Sequence, residues 1–128
     1  MARNAIAVIV GLAVWIGVAT VAGVIMRAAW PAYASVADAM TFTLPMMFAR
    51  LSIGAVATVA AGWVAATITR RSTLALWPGV VLLAGFIPQH ITLWEKFPVW
   101  YHLTFLLSLI PLAFLGGKLA AARTPEHA

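Results

Sequence analysis

Cysteine is absent from the 128 residues, which removes disulfide staples, thiolate metal sites, iron–sulfur ligation and a cysteine nucleophile. Acid is scarce: Asp38, Glu95 and Glu126 are the three carboxylate side chains of the chain. Charged residues of both signs amount to 9%, against roughly a quarter in soluble domains. No glycine-rich phosphate loop, HExxH pair or Ser–His–Asp arrangement occurs, so the residues point away from an enzyme. Abundance lies elsewhere. Hydrophobic residues make up 64% of the chain and the mean hydropathy is +1.02, which excludes both intrinsic disorder and an ordinary soluble domain. The net charge of +5 comes from eight Lys and Arg. They are spaced between long apolar runs, so they read as topology signals rather than as a nucleic-acid surface.

A membrane span needs about 20 mostly apolar residues to cross roughly 30 Å of hydrocarbon. Four runs qualify, at 5–26, 46–69, 73–94 and 99–117. They use most of the chain and predict an all-α fold, an integral membrane four-helix bundle of two helical hairpins running up-down-up-down. Residues 1–128 are read as one four-span membrane domain. The first run has a basic start at Arg3, and Ala32-Tyr33-Ala34 offers a small-x-small pattern. It is longer than a signal-peptide core and is separated from that pattern by Arg27 and Trp30-Pro31, so it is read as an uncleaved span.

With four spans both ends of the domain share one side. Arg3, Arg70, Arg71, Lys118 and Arg123 fall there, against Arg27 and Lys96 opposite. Basic loops stay in the cytoplasm, which predicts cytoplasmic termini in a bacterial-type inner membrane. Trp30, Tyr33, Trp94, Trp100 and Tyr101 near the opposite face suit an interfacial aromatic belt. On that outer side 95–98 is a tight turn, and 28–45 is a longer loop expected to hold a short helix at 35–40 capped by Ser35. The Gly116-Gly117-Lys118 run is expected to close the last helix, leaving 120–128 frayed. A faint parallel repeat is visible: Pro45, Phe48 and Arg50 match Pro98, Tyr101 and His102 in order.

Helices in lipid associate through small residues. Gly54, Thr58 and Gly62 recur at four-residue spacing in the second span, which marks it as the central packing helix. Arg50 lies at the edge of that small arc, pointing either into protein or outward to the headgroups. Pro78, Pro88 and Pro111 are expected to kink the third and fourth spans and to leave room between them.

The most informative constellation is at the outer end. His90 lies six residues before Lys96 and His102 six after it, so a tight hairpin puts them at similar depth. Arg50, five residues past Pro45, falls near the same level. Arg50, Gln89, His90, Tyr101 and His102 therefore form a candidate polar layer for ligand or ion contact, with Glu95 and Asp38 above it as counter-charge. Two histidines are too few for a closed zinc site, although His90 and His102 are the candidates if any metal or haem binds. They could equally relay protons, contact a quinone head or anion with Arg50, or hydrogen-bond headgroups or each other. The sequence implies no particular cofactor.

No Asp or Glu lies inside a span, which argues against a carboxylate-driven antiporter. Three function readings remain, among them a small homo-oligomeric transport or permeation protein with a polar site on the outer side, and an accessory, non-catalytic subunit of a larger membrane complex. A haem- or quinone-binding subunit is a third. The partners expected are the lipid bilayer and either further copies or unlike membrane chains, with no nucleic acid.

Overall fold

The computed structural model describes residues 2–123, and helix is the only regular structure among them. Helix α1 spans Ala2–Ala29, a short α2 spans Pro31–Val36, and α3 spans Leu44–Thr69. A 3-10 turn at Ser72–Ala75 leads into α4, Leu76–Thr92; a second, at Trp94–Lys96, leads into α5, Val99–Ala122. Four of these segments are long and apolar enough to cross a membrane, as in a multi-pass membrane protein.

Local chemistry explains most of the boundaries. Pro31 and Pro45 stand in the first turns of α2 and α3, where a missing N–H costs nothing. Helix α3 stops at Arg70, whose left-handed φ of 58° turns the chain away. The Thr69 hydroxyl secures that turn by donating to the Ala65 carbonyl at 2.9 Å and accepting the Arg71 N–H at 3.3 Å. Pro88 and Pro111 lie inside α4 and α5, and both helices continue through them.

Three expectations are corrected. The loop helix is at Pro31–Val36 rather than 35–40, because Pro31 starts it. Ser35 is in its last turn, its hydroxyl donating to the Ala32 carbonyl at 2.7 Å, and caps nothing. Gly116 and Gly117 do not close the last helix. They are buried packing positions, and α5 runs on to Ala122. The 3-10 turn at Ser72–Ala75 takes the place of the first helical turn expected at 73. The tail 124–128 lies outside the described residues.

Helix α3 is central, packed against α1 on one side and α5 on the other, and α4 lies chiefly on α5. Small residues make the approach possible. A Cβ on Gly62 would overlap the Ala113 carbonyl of α5, and one on Gly116 would overlap the Val59 carbonyl of α3. One on Gly11 would touch the Ala61 carbonyl at 3.0 Å. Only such side-chain-free contacts let helix backbones meet. Thr58, fully buried, accepts the Trp15 indole N–H at 3.0 Å and donates back to the Gly54 carbonyl at 2.6 Å, which ties α1 to α3. At the opposite end of the bundle, where α4 turns into α5, the core is aromatic: Tyr33, Phe42, Phe97 and Tyr101 pack with Ala37 and Met46.

Candidate functional site

Arg50 lies on the second turn of α3 and points into the protein, under the aromatic cluster. Its Nη1 donates to the Tyr33 hydroxyl at 2.8 Å and its Nε to the Tyr101 hydroxyl at 3.2 Å. The guanidinium carbon lies 4.6 Å from the centre of the Phe42 ring and 5.8 Å from that of Phe97. The chain has two tyrosines, and both hydroxyls serve this one cation. No carboxylate approaches it among the described residues, because the one ion pair there joins Arg27 to Asp38 at 3.4 Å, exposed on the surface. Quadrupoles and phenol oxygens hold a cation in place without neutralising it. Nη2 is left without a hydrogen-bond partner among the described residues.

The histidine pair is a defined hydrogen-bonded unit. His90 on α4 and His102 on α5 meet through their Nδ1 atoms at 2.7 Å. The Nε2 of His102 lies 3.1 Å from the Trp94 carbonyl. A carbonyl only accepts, so this Nε2 carries the proton and donates. A neutral His102 then offers a bare Nδ1, which accepts from the Nδ1–H of His90. With His90 neutral as well, its Nε2 is left as an unprotonated acceptor. Stacking holds both rings: His102 lies on Trp94 with centroids 4.6 Å apart and planes 8° apart, and His90 lies on Phe105 at 5.0 Å and 24°.

These groups border a cavity of about 220 Å³ between α1 and α4, floored by α3 and α5. Arg50, Tyr101, His90 and Gln89 supply its polar edge; Trp15, Phe86 and Phe105 its aromatic walls. The Nε2 of His90 has no protein partner, and no buried polar side-chain atom in the described residues is left unpaired. That nitrogen is consequently accessible, and His90 is one of the residues that line the cavity.

Comparison of the chain with protein-family models, with curated proteins and with solved structures gives no match. The site has to be read from its own geometry.

Of the expected polar layer, Arg50, Gln89, His90 and Tyr101 come together around the cavity, and His102 stands directly behind His90. Glu95 does not join them. It is exposed on the 3-10 turn above, where Lys96 reaches the Ala39 carbonyl at 3.4 Å. Asp38 is engaged by Arg27 and supplies no counter-charge to Arg50. Gly54, Thr58 and Gly62 are all buried between helices of the same chain. The histidine spacing does not suit a metal held between the rings. Metal–imidazole bonds of about 2.0–2.1 Å put two axial nitrogens roughly 4 Å apart, whereas these Nδ1 atoms are within hydrogen-bond range. No group of three or more potential ligands from His, Cys, Asp and Glu gathers among the described residues.

Sequence reasoning missed Tyr33, Phe42, Phe97 and Trp15. Tyr33 was expected in an interfacial belt, yet it is 4% exposed and binds Arg50. A signal was available: a span cation with no span carboxylate requires neutral oxygen acceptors, and two phenols are the acceptors that can also pack in an aromatic core.

Proposed function

We propose that this chain is a multi-pass protein of a bacterial-type inner membrane, one four-helix domain with both termini cytoplasmic, whose bundle binds a small lipid-soluble ligand in its outer half. Residue pairings support the up-down-up-down course. Gly11 with Ala61 and Trp15 with Thr58 run in opposite directions on α1 and α3, as do Gly79 with Leu109 and His90 with His102 on α4 and α5. Gly54 with Phe105 and Gly62 with Ala113 run in the same direction on α3 and α5. Exposed apolar side chains along every span, among them Ile16, Val24, Val56, Ile91 and Leu107, suit contact with acyl chains.

The observation that carries the binding reading is Arg50: a cation held inside an apolar bundle, without a carboxylate, at the edge of a cavity. Such a residue is expensive in hydrocarbon and favours a ligand that brings an oxygen acceptor. The cavity is lined by residues of a single copy. Gly54, Thr58 and Gly62 are spent on packing inside the chain, so self-association would need another face, and the transport reading rests on the cavity alone. If the ligand is released to both sides of the membrane, the same site serves transport; if the protein copurifies with unlike chains, it serves as a ligand-carrying subunit.

Native mass spectrometry in mild detergent tests the binding reading. The extracted protein is expected to retain a small adduct that is lost in Arg50→Gln. A bare wild-type chain, or an adduct that survives Arg50→Gln, would overturn it. Orientation is tested separately by thiol labelling of single cysteines introduced at the exposed Ser35 and Thr73. In intact cells an impermeant reagent is expected to label the first and spare the second, and the reverse pattern would invert the topology.

A further inference from the structure

Resting on that binding reading, we propose that the cavity accepts the hydroquinone head of a lipid quinone and prefers this reduced form to the oxidised one. Hydrogen-bond direction decides which ligand fits. With both imidazoles neutral, the Trp94 carbonyl fixes the proton on Nε2 of His102, His102 then fixes the proton on Nδ1 of His90, and His90, which lines the cavity, keeps an accessible bare Nε2. Across the same space Arg50 can only donate. A complementary ligand must therefore present a donor to His90 and an acceptor to Arg50, from helices on different sides of the cavity.

A hydroquinone meets both conditions. One hydroxyl donates to Nε2 of His90, and the oxygen of the other accepts from Arg50. A quinone carries carbonyl acceptors alone, so one of its oxygens would face the lone pair of His90 with no proton between them. An unmade hydrogen bond of this kind is what lets a site reject an analogue lacking the group.

Size and surroundings agree. An apolar cavity of about 150 Å³ holds one benzene ring, so the cavity of about 220 Å³ suits one substituted ring. Trp15, Phe86 and Phe105 provide aromatic faces for it. On the α1 side the cavity is bordered by Ala19 and Gly23, and a Cβ placed on Gly23 would meet nothing within 4 Å. That gap opens beside the exposed Val24 and Ile25 of α1, so an isoprenoid tail could leave the cavity directly into hydrocarbon.

The test titrates detergent-purified protein with decylubiquinol and with decylubiquinone, reading tryptophan quenching, to which Trp15 in the cavity wall contributes. The reduced form is expected to bind about tenfold more tightly, the worth of one hydrogen bond. His90→Phe, which keeps the stack on Phe105 but removes the acceptor, is expected to erase the preference. Gly23→Leu, which extends into open space and leaves the packing intact, is expected to abolish binding of both forms. Equal affinities that both depend on Arg50 would overturn the reduced-form preference while leaving the binding cavity in place. An Arg50-dependent adduct of another class, with neither probe binding, would overturn the ligand assignment. Binding of both probes unchanged in Arg50→Gln would overturn this inference and the cavity reading together.

Discussion

The two ends of the bundle are built on opposite principles. At the end away from the α4–α5 turn the backbones touch: Gly62 against Ala113, Gly116 against Val59, and Gly117 against Ser72. Near the α4–α5 turn the core is filled by rings, with Phe97 on Tyr101 at 4.3 Å between centroids and Tyr33 on Phe42 at 5.1 Å. Close backbone contact fills one end, and aromatic bulk fills the other. Neither end alone would make a site. A bundle pinched throughout would have no cavity, and one propped by rings throughout would lose the dispersion contacts that hold apolar helices together in lipid.

The strongest way to break this contrast is at the pinched end. Gly62→Leu must push α5 away from α3, and overpacking at a backbone contact is expected to cost about 3 kcal/mol. Reversible denaturation in mixed micelles, followed by circular dichroism, measures the loss. A result near zero would show that the close approach is not needed for folding.

The next effect is at the propped end. His102→Leu leaves the Nδ1–H of His90 without its acceptor in a buried place, with an expected cost of about 2 kcal/mol in the same assay. A neutral outcome would mean that His90 finds another acceptor, and the direction assigned to its proton would fall with it.

Thr58 lies between the two regimes. Replacing it by Val removes the acceptor of the Trp15 N–H while keeping the shape, and interhelical hydrogen bonds of this type are worth about 1 kcal/mol in lipid. A loss as large as that of Gly62→Leu would make α1 a more integral part of the core than its contacts indicate. The smallest effect is reserved for Gly85, where an added Cβ meets nothing within 4 Å. Gly85→Ala is expected to change stability by less than about 0.5 kcal/mol. A clear loss there would show that glycine acts through backbone freedom in this bundle rather than through close approach.

Much of this contrast could be read from residues in order. Apolar runs bounded by charge locate four helices, and four-residue spacing picks out Gly54, Thr58 and Gly62 as packing positions. Symmetry about Lys96 pairs His90 with His102. These inferences succeed because they depend on helical period and hairpin geometry alone. What escaped depends on long connections. Tyr33 and Phe42 come from α2 and from the loop before α3, where no periodicity tells which way a ring turns. The role of Gly116 and Gly117 escaped for a different reason: adjacent glycines near the end of a run resemble a stop signal, and only the neighbouring α3 and 3-10 turn show them to be contact points. Glu95 was drawn towards Arg50 by charge, but the turn that carries it faces outward.

Helix α1 has two buried residues, Ala7 and Gly11, along its 28. Within this chain α1 precedes α3, and with so little of it buried it can do without its later partners. Arg50 cannot. When α3 leaves the ribosome Tyr33 has already been made, but Tyr101 comes 51 residues after Arg50. During that interval the cation has one phenol and lacks the other, so the order of synthesis makes α5 the element that completes its burial. The second tyrosine is thus a late addition to the Arg50 site, set by the order of the elements along the chain.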